Sequence, residues 1–376
     1  MDMSHPKTSR QGWLSQQHWT RWFVIAGVLI VISLLLRHLF LADRPVQSWQ
    51  VENAGATELS PDGTLLAVVG GPMELFNFVD PRKPDVVSYS ETLTTMVEVR
   101  RVADGQRLYA FRAPGVVALA FSPDSQLLLA GGGNGGNWLW RMQDGELVRQ
   151  WNDRKKMNGV AFSPDGEHIA TVSDNSTTVW RVADGAALLT LQDETMVTSI
   201  AFSPDGQLLA TAGGWDHSTL WRVRDGQRLR IFKSGQPHRI TFSPDGQLLA
   251  ISSGSLWYAG GEITATGEVA LWRVVGDDEQ PVRVLGLPTS FNQVSFSPDG
   301  NLLAVSGREP ARPLDFSPTS YFRRKSSVIQ LFRVQDGVYV RSLRIPAGDS
   351  GTPRFTPDGK YLLATDENVI NFWRLR

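Results

Sequence analysis

Side chains suited to chemistry are few in this chain, and their spacing does not assemble them. His5, His18 and His38 fall near the N-terminus, and His168, His217 and His238 are scattered with no metal-ligand spacing. "GDSG" (348–351) sets a serine among glycines and an acid, the surroundings of a nucleophile, but no histidine is placed as its base. "GGGNGGN" (131–137) has the glycines of a phosphate-cradling loop without a lysine or a following helix, so it reads as a tight strand connection. There is no cysteine, which excludes disulfides, thiolate metal sites and thiol nucleophiles. These residues predict no catalytic residue, no cofactor and no metal site. A formal charge of −1 on 376 residues gives no bulk attraction for polyanions, so nucleic acid is not an expected partner.

The order in the sequence is of another kind. "AFSPDGQLLA" (201–210) returns as "TFSPDGQLLA" (241–250), and related copies start at Leu59, Phe121, Phe162, Phe296 and Phe355, seven in all. In residues 191–231, alternating apolar positions predict a strand over 197–202. Pro204, Asp205 and Gly206 then suit a tight turn, with Gly206 at positive φ. "QLLATAG", "STLWRV" and "QRLRIF" make three further strands, the last entered through "RDG". Each copy therefore predicts four short antiparallel strands. A second landmark, "LWRVRDG" or a variant of it, places an aromatic at a fixed strand position: Trp140, Trp180, Trp221, Trp272, Phe332 and Trp373, with Arg100 in the first copy. Packing between units is the expected role of these aromatics, because a repeated interface needs large apolar area at a repeated place.

On these residues the chain resembles the WD-repeat β-propellers over residues 46–376, as a degenerate, membrane-anchored, bacterial-type member. The resemblance implies an all-β, seven-bladed β-propeller with four-stranded antiparallel blades, preceded here by one N-terminal transmembrane helix. Two departures stand out. The family's Gly-His pair is missing, Gln192-Asp193 holding its place before the fourth copy. The Asp after Trp is replaced by Arg, as in Arg141, Arg181, Arg222, Arg273, Arg333 and Arg374. Asp174 stands where the family's Asp would, and the family's buried His-Asp network is not carried over.

After a tail over 1–21, "WFVIAGVLIVISLLL" (22–36) is uncharged and continues past Arg37 to Ala42. As a helix, residues 22–42 reach roughly 31 Å, enough to span a hydrocarbon core. A long preceding tail and no small residue at the first position of "FLA" argue for an uncleaved anchor over a signal peptide. Lys7, Arg10 and Arg21 precede it, against Arg37 and Arg44 after it. That balance favours N-in with the propeller periplasmic or extracellular, a cytoplasmic-facing propeller being the alternative. The chain ends after a third strand, and "VQSWQV" (46–51) aligns with the fourth strand of the second copy, Trp49 over Trp151, so it is expected to close the last blade. The short link 43–45 then sets the "SPDG" turn face against the bilayer.

The repeat stretches between second and third strands in three copies, over 71–95, 254–268 and 307–327. Insertions on one face of a repeat fold are usual recognition sites. Phe76, Phe78, Tyr89, Trp257, Tyr258, Phe316, Tyr321, Phe322, Arg323 and Arg324 are candidate contacts, being residue types common in interface hot spots. The expected function is a membrane-anchored, non-catalytic scaffold for protein partners, working through these loops on the face away from the membrane. Alternatives are an enzyme or small-ligand sensor using the central channel, whose mouth Asp153, Asp193, Glu194 and Asp349 would approach, and a structural subunit of a membrane assembly.

Overall fold

Short strands with β-branched and leucine-rich interiors, punctuated by Pro-Asp-Gly turns, have no way to bury both faces except by stacking sheet on sheet. The computed structural model describes residues 45–375 apart from 52–53, 71–75, 80–86, 91–95, 133–135, 153–156, 214–216, 260–261, 277, 288–289, 309–326, 346–350 and 367, with several strand residues in backbone only. It contains seven four-stranded antiparallel sheets and one separate two-stranded ribbon. Blade four is representative, with strands Val197–Phe202, Leu208–Gly213, His217–Arg222 and Arg228–Lys233 running from the axis outward. Among the described residues no helix is long and apolar enough to cross a membrane, and the anchor expected over 22–42 lies outside them.

Blade seven takes its inner three strands from Arg354–Phe355, Tyr361–Asp366 and Val369–Arg374, and its outer strand from Gln47–Gln50. Trp49 lies opposite Ile370 in that pairing and packs 4.7 Å from the Phe372 ring. The first and last strands of the ring thus share one sheet, which leaves no open edge at the joint.

The repeated turns are built alike. In blade four the Ser203 hydroxyl donates to Asp205 at 2.5 Å and accepts the Leu208 N–H at 2.9 Å, while Asp205 accepts the Gln207 N–H at 3.0 Å. These bonds, the serine hydroxyl first, hold the Asp205 carboxyl below its ordinary value, and the Thr356 hydroxyl with the Lys360 amide brings Asp358 down to about 2. Gly206 has φ 71°, a conformation that glycine adopts without strain. Its neighbour is the turn proline of the preceding blade: Gly206 lies against Pro164, Gly246 against Pro204 and, across the joint, Gly63 against Pro357. The motif is therefore a hairpin turn and also a blade-to-blade contact around the axis.

The aromatic slot works between blades. Trp272 clusters with Ala210, Leu220 and Phe232 of blade four, and Trp221 with Ala170, Val179 and Leu191 of blade three. Phe332 packs with Ala250 and Leu271 of blade five, and Trp373 with Ala304, Ile329 and Leu331 of blade six. Trp140 stacks on Phe111 of blade one at 4.5 Å, and Trp180 is 6.4 Å from Trp151 of blade two. Arg100, in the first copy, instead bonds to Glu98 at 2.6 Å and to the Gly105 carbonyl.

Candidate functional site

The inner strands decide what faces the axis. Successive side chains of a strand point to opposite sides, so the residues one and three before the "FSPDG" aromatic share one side. All fourteen such residues line one channel of about 710 Å³. At the position one before the aromatic they are Glu58, Ala120, Ala161, Ala201, Thr241, Ser295 and Arg354. Three before it they are Ala56, Ala118, Gly159, Ser199, Arg239, Gln293 and Thr352. In blades two to six the register slips just before or at this second position, as between Pro237 and Arg239, a recurring bulge that re-aims the side chain.

The two sets divide the channel. Blades two, three and four contribute Ala, Gly and Ser. Blades five, six, seven and one contribute the charged and amide groups. Arg239 donates Nε to Gln293 Oε1 at 2.6 Å, and the Thr352 hydroxyl donates to the same oxygen at 2.9 Å. Arg354 pairs with Glu58, both side chains partly buried. Arg354 Nε is buried with no hydrogen-bond partner among the described residues. Burial pushes the Glu58 carboxyl above its ordinary value, with Arg354 and then Arg239 pulling it back. Burial, followed by the nearby Arg354 charge, lowers Arg239 to about 10, which leaves it protonated at neutral pH. One carboxylate thus faces two guanidinium groups.

Of the acids expected near the channel mouth, Asp193 and Glu194 are among the described residues. Glu194 is exposed and pairs with Arg228 at 2.9 Å, and Asp153 and Asp349 lie outside the described residues. Asp193, in the position of the missing histidine, accepts the Thr211 hydroxyl at 3.1 Å, and Thr211 in turn accepts Trp221 Nε1 at 3.0 Å. Burial raises the Asp193 carboxyl, opposed by hydrogen bonds from Thr219 and Thr211. A buried Trp–Thr–Asp chain therefore occupies blade four. Blade three repeats its first link, Trp180 Nε1 donating to Thr171 at 2.8 Å. Blade five has Ile251 at the hydroxyl position, and Trp272 Nε1 has no partner among the described residues. Thr211→Val is expected to cost about 1–3 kcal/mol in denaturant unfolding, because it strands two buried polar groups, while Thr211→Ser retains most of the stability.

The arginines that replace the family's Asp bridge their own turns. Arg141, Arg181 and Arg333 reach Asp144, Asp184 and Asp336 at 3.0, 2.7 and 2.7 Å. They are solvent-exposed pairs worth about 0–1 kcal/mol each. Asp165, Glu167 and His168 gather at one hairpin with ligand atoms within 4.8 Å of one another, on a single turn with both acids exposed.

Two of the insertions differ from plain loops. In blade five, Leu248–Ala259 and Glu262–Arg273 pair without interruption, so Trp257 and Tyr258 sit in a β-ribbon, opposite Thr264 and Ile263. Its outer neighbour Arg283–Leu287 pairs only with Gly267–Leu271, so the ribbon runs past the blade. The alternating, β-prone "SLWYA" and "EITAT" on either side of two glycines account for this. In the blade-one insertion Phe76–Val79 pairs with Val87–Ser90, putting Phe76 opposite Ser90, Phe78 opposite Ser88 and Tyr89 opposite Asn77. Phe316, Tyr321, Phe322, Arg323 and Arg324 lie outside the described residues.

Residues 105–141, 145–181 and 185–220 match the family described as WD domain, G-beta repeat. Each matched unit begins at a turn glycine, so it supplies the outer strand of one blade and the inner three of the next. Over 74 residues the chain is 31% identical to eukaryotic translation initiation factor 3 subunit I of Candida albicans and 32% to that of Scheffersomyces stipitis, in both cases 19% of this chain. The match spans about a fifth of the length of those relatives, 21%. Among solved structures, the Cps50 (Swd1) β-propeller domain of Myceliophteria thermophila superposes with a TM-score of 0.66 at 15% identity, covering 89% of this chain and 99% of that one. The matched repeats and the ring of seven four-stranded blades together support a WD-repeat β-propeller.

Proposed function

We propose that this protein is a non-catalytic protein-interaction scaffold, tethered to a membrane by residues 22–42, that recruits partners through the insertions of blades one, five and six. The observation that carries the reading is the blade-five ribbon, which continues beyond its outer neighbour at the end opposite the "SPDG" turns. A ribbon extended past its sheet adds nothing to the blade's own pairing, and an edge kept long at that point suits contact with another chain. The separate ribbon in the blade-one insertion leaves the blade at the same end, since it too joins a second strand to a third.

The test is recovery of partners from native membranes in mild detergent. Deleting residues 73–93 is expected to leave a folded, membrane-bound protein that loses its co-purifying proteins, and deleting 309–326 to lose a part of them. Unchanged recovery from both deletions and from deletion of the blade-five ribbon tip (255–266) would exclude this face. A reporter fused after Arg376 checks the outward placement of the propeller, which cytoplasmic reporter activity would overturn.

A further inference from the structure

The channel has a chemistry that the interaction loops do not use. Arg239 spends Nε on Gln293, and its two terminal nitrogens have no hydrogen-bond partner among the described residues. Arg354 spends a terminal nitrogen on Glu58, and its buried Nε has no partner among the described residues. Among the described residues lining the channel, Glu58 is the one carboxylate against the two guanidinium groups. The wall opposite is Ala120, Ala161 and Ala201, small residues that leave the space open. At about 710 Å³ the channel lies within the range of small-molecule sites, and a second cavity of about 390 Å³ at the turn face is lined by Pro61, Pro204, Pro244, Pro298 and Pro357. A guanidinium group with N–H donors to spare, lining a confined channel, is an acceptor-seeking group matched in shape to carboxylate and phosphate oxygens.

We propose that the channel is a binding site for a small oxyanion, a phosphate- or carboxylate-bearing molecule held by Arg239 from blade five and Arg354 from blade seven. Gln293 and Thr352 orient the Arg239 fork by fixing its Nε, and Glu58 holds Arg354 and competes with the ligand for it. The site needs blades five, six, seven and one together and is independent of the insertions.

The experiment is calorimetric titration of the full-length protein in detergent with inorganic phosphate and, separately, with citrate, at constant ionic strength set by chloride. Saturable binding of at least one is expected, and which one binds more tightly separates the phosphate source from the carboxylate source. Arg239→Gln is expected to weaken binding tenfold or more. Glu58→Gln is expected to strengthen it severalfold, because the competing carboxylate is gone, and a misfolded variant would not gain affinity. Each variant's unfolding transition is recorded alongside. Absence of saturable binding of both anions overturns the proposal, as does binding that neither substitution changes.

Discussion

Replacing Trp373 by alanine is expected to destabilise the propeller by about 3–5 kcal/mol, the range for emptying a fully buried tryptophan site. The side chain is 0% exposed. It lies among Ala304, Ile329 and Leu331 of blade six and Phe355, Leu362 and Ala364 of its own blade, mostly strand residues whose backbones are held by ladder hydrogen bonds. Such surroundings cannot collapse into the space left, so the cavity term adds to the lost transfer energy. Trp180 provides the comparison. It is only half-buried, and the same change there should cost less, although it also strands the Thr171 hydroxyl. Urea unfolding at unchanged slope would measure both. A loss at Trp373 no larger than at Trp180 would mean that the repeated aromatic is not the main apolar contact between blades.

Deleting Val46–Val51 is expected to have an effect at least as large, and of a different kind. The deletion removes the half-buried Trp49 and the buried Val51 from the cluster with Leu66, Ile370 and Phe372, roughly 1.5–3 kcal/mol for each large apolar side chain. It also exposes the backbone groups of Val369–Phe372 along a new sheet edge that carries the buried Ile370 and Phe372. An apolar open edge pairs with other chains, so loss of cooperative unfolding and concentration-dependent association should appear together in thermal melts and size-exclusion chromatography. Addition of a peptide spanning residues 45–51 should restore the monomer. A monomeric variant with an unchanged melt would show that the ring holds without its fourth strand in blade seven.

Much of the blade was legible because its determinants are local. Pro204, Asp205 and Gly206 specify a turn by their own backbone preferences, and the alternation of Val197–Phe202 specifies a strand with one side turned inward. The blade-five ribbon was less legible. Its glycines and the lengthened spacing read as a loop, and only the uninterrupted pairing of Ser253 with Glu268 through to Ala259 with Glu262 shows strands. Asp193 shows a subtler limit. It stood in the position of an absent histidine, and nothing near it in sequence announced Thr211 as its partner.

The channel charges were visible only in one arrangement of the text. Aligned on "FSPDG", the position three before the aromatic reads Ala, Ala, Gly, Ser, Arg, Gln, Thr, and the position one before it reads Glu, Ala, Ala, Ala, Thr, Ser, Arg. Two arginines, a glutamate and a glutamine stand out among small residues, in the two columns that the strand turns toward the axis.

By itself, then, the sequence determined the repeating unit, its turns and its interface aromatic, because each follows from torsional preferences and apolar periodicity over a few residues. Tertiary structure alone decided that Glu58, near the start of the propeller, meets Arg354, near its end, and that Arg239 shares their channel. A Coulombic contact depends on separation in space, and in a closed ring that separation is fixed by the number of blades and by the strand Gln47–Gln50 that joins the last blade to the first.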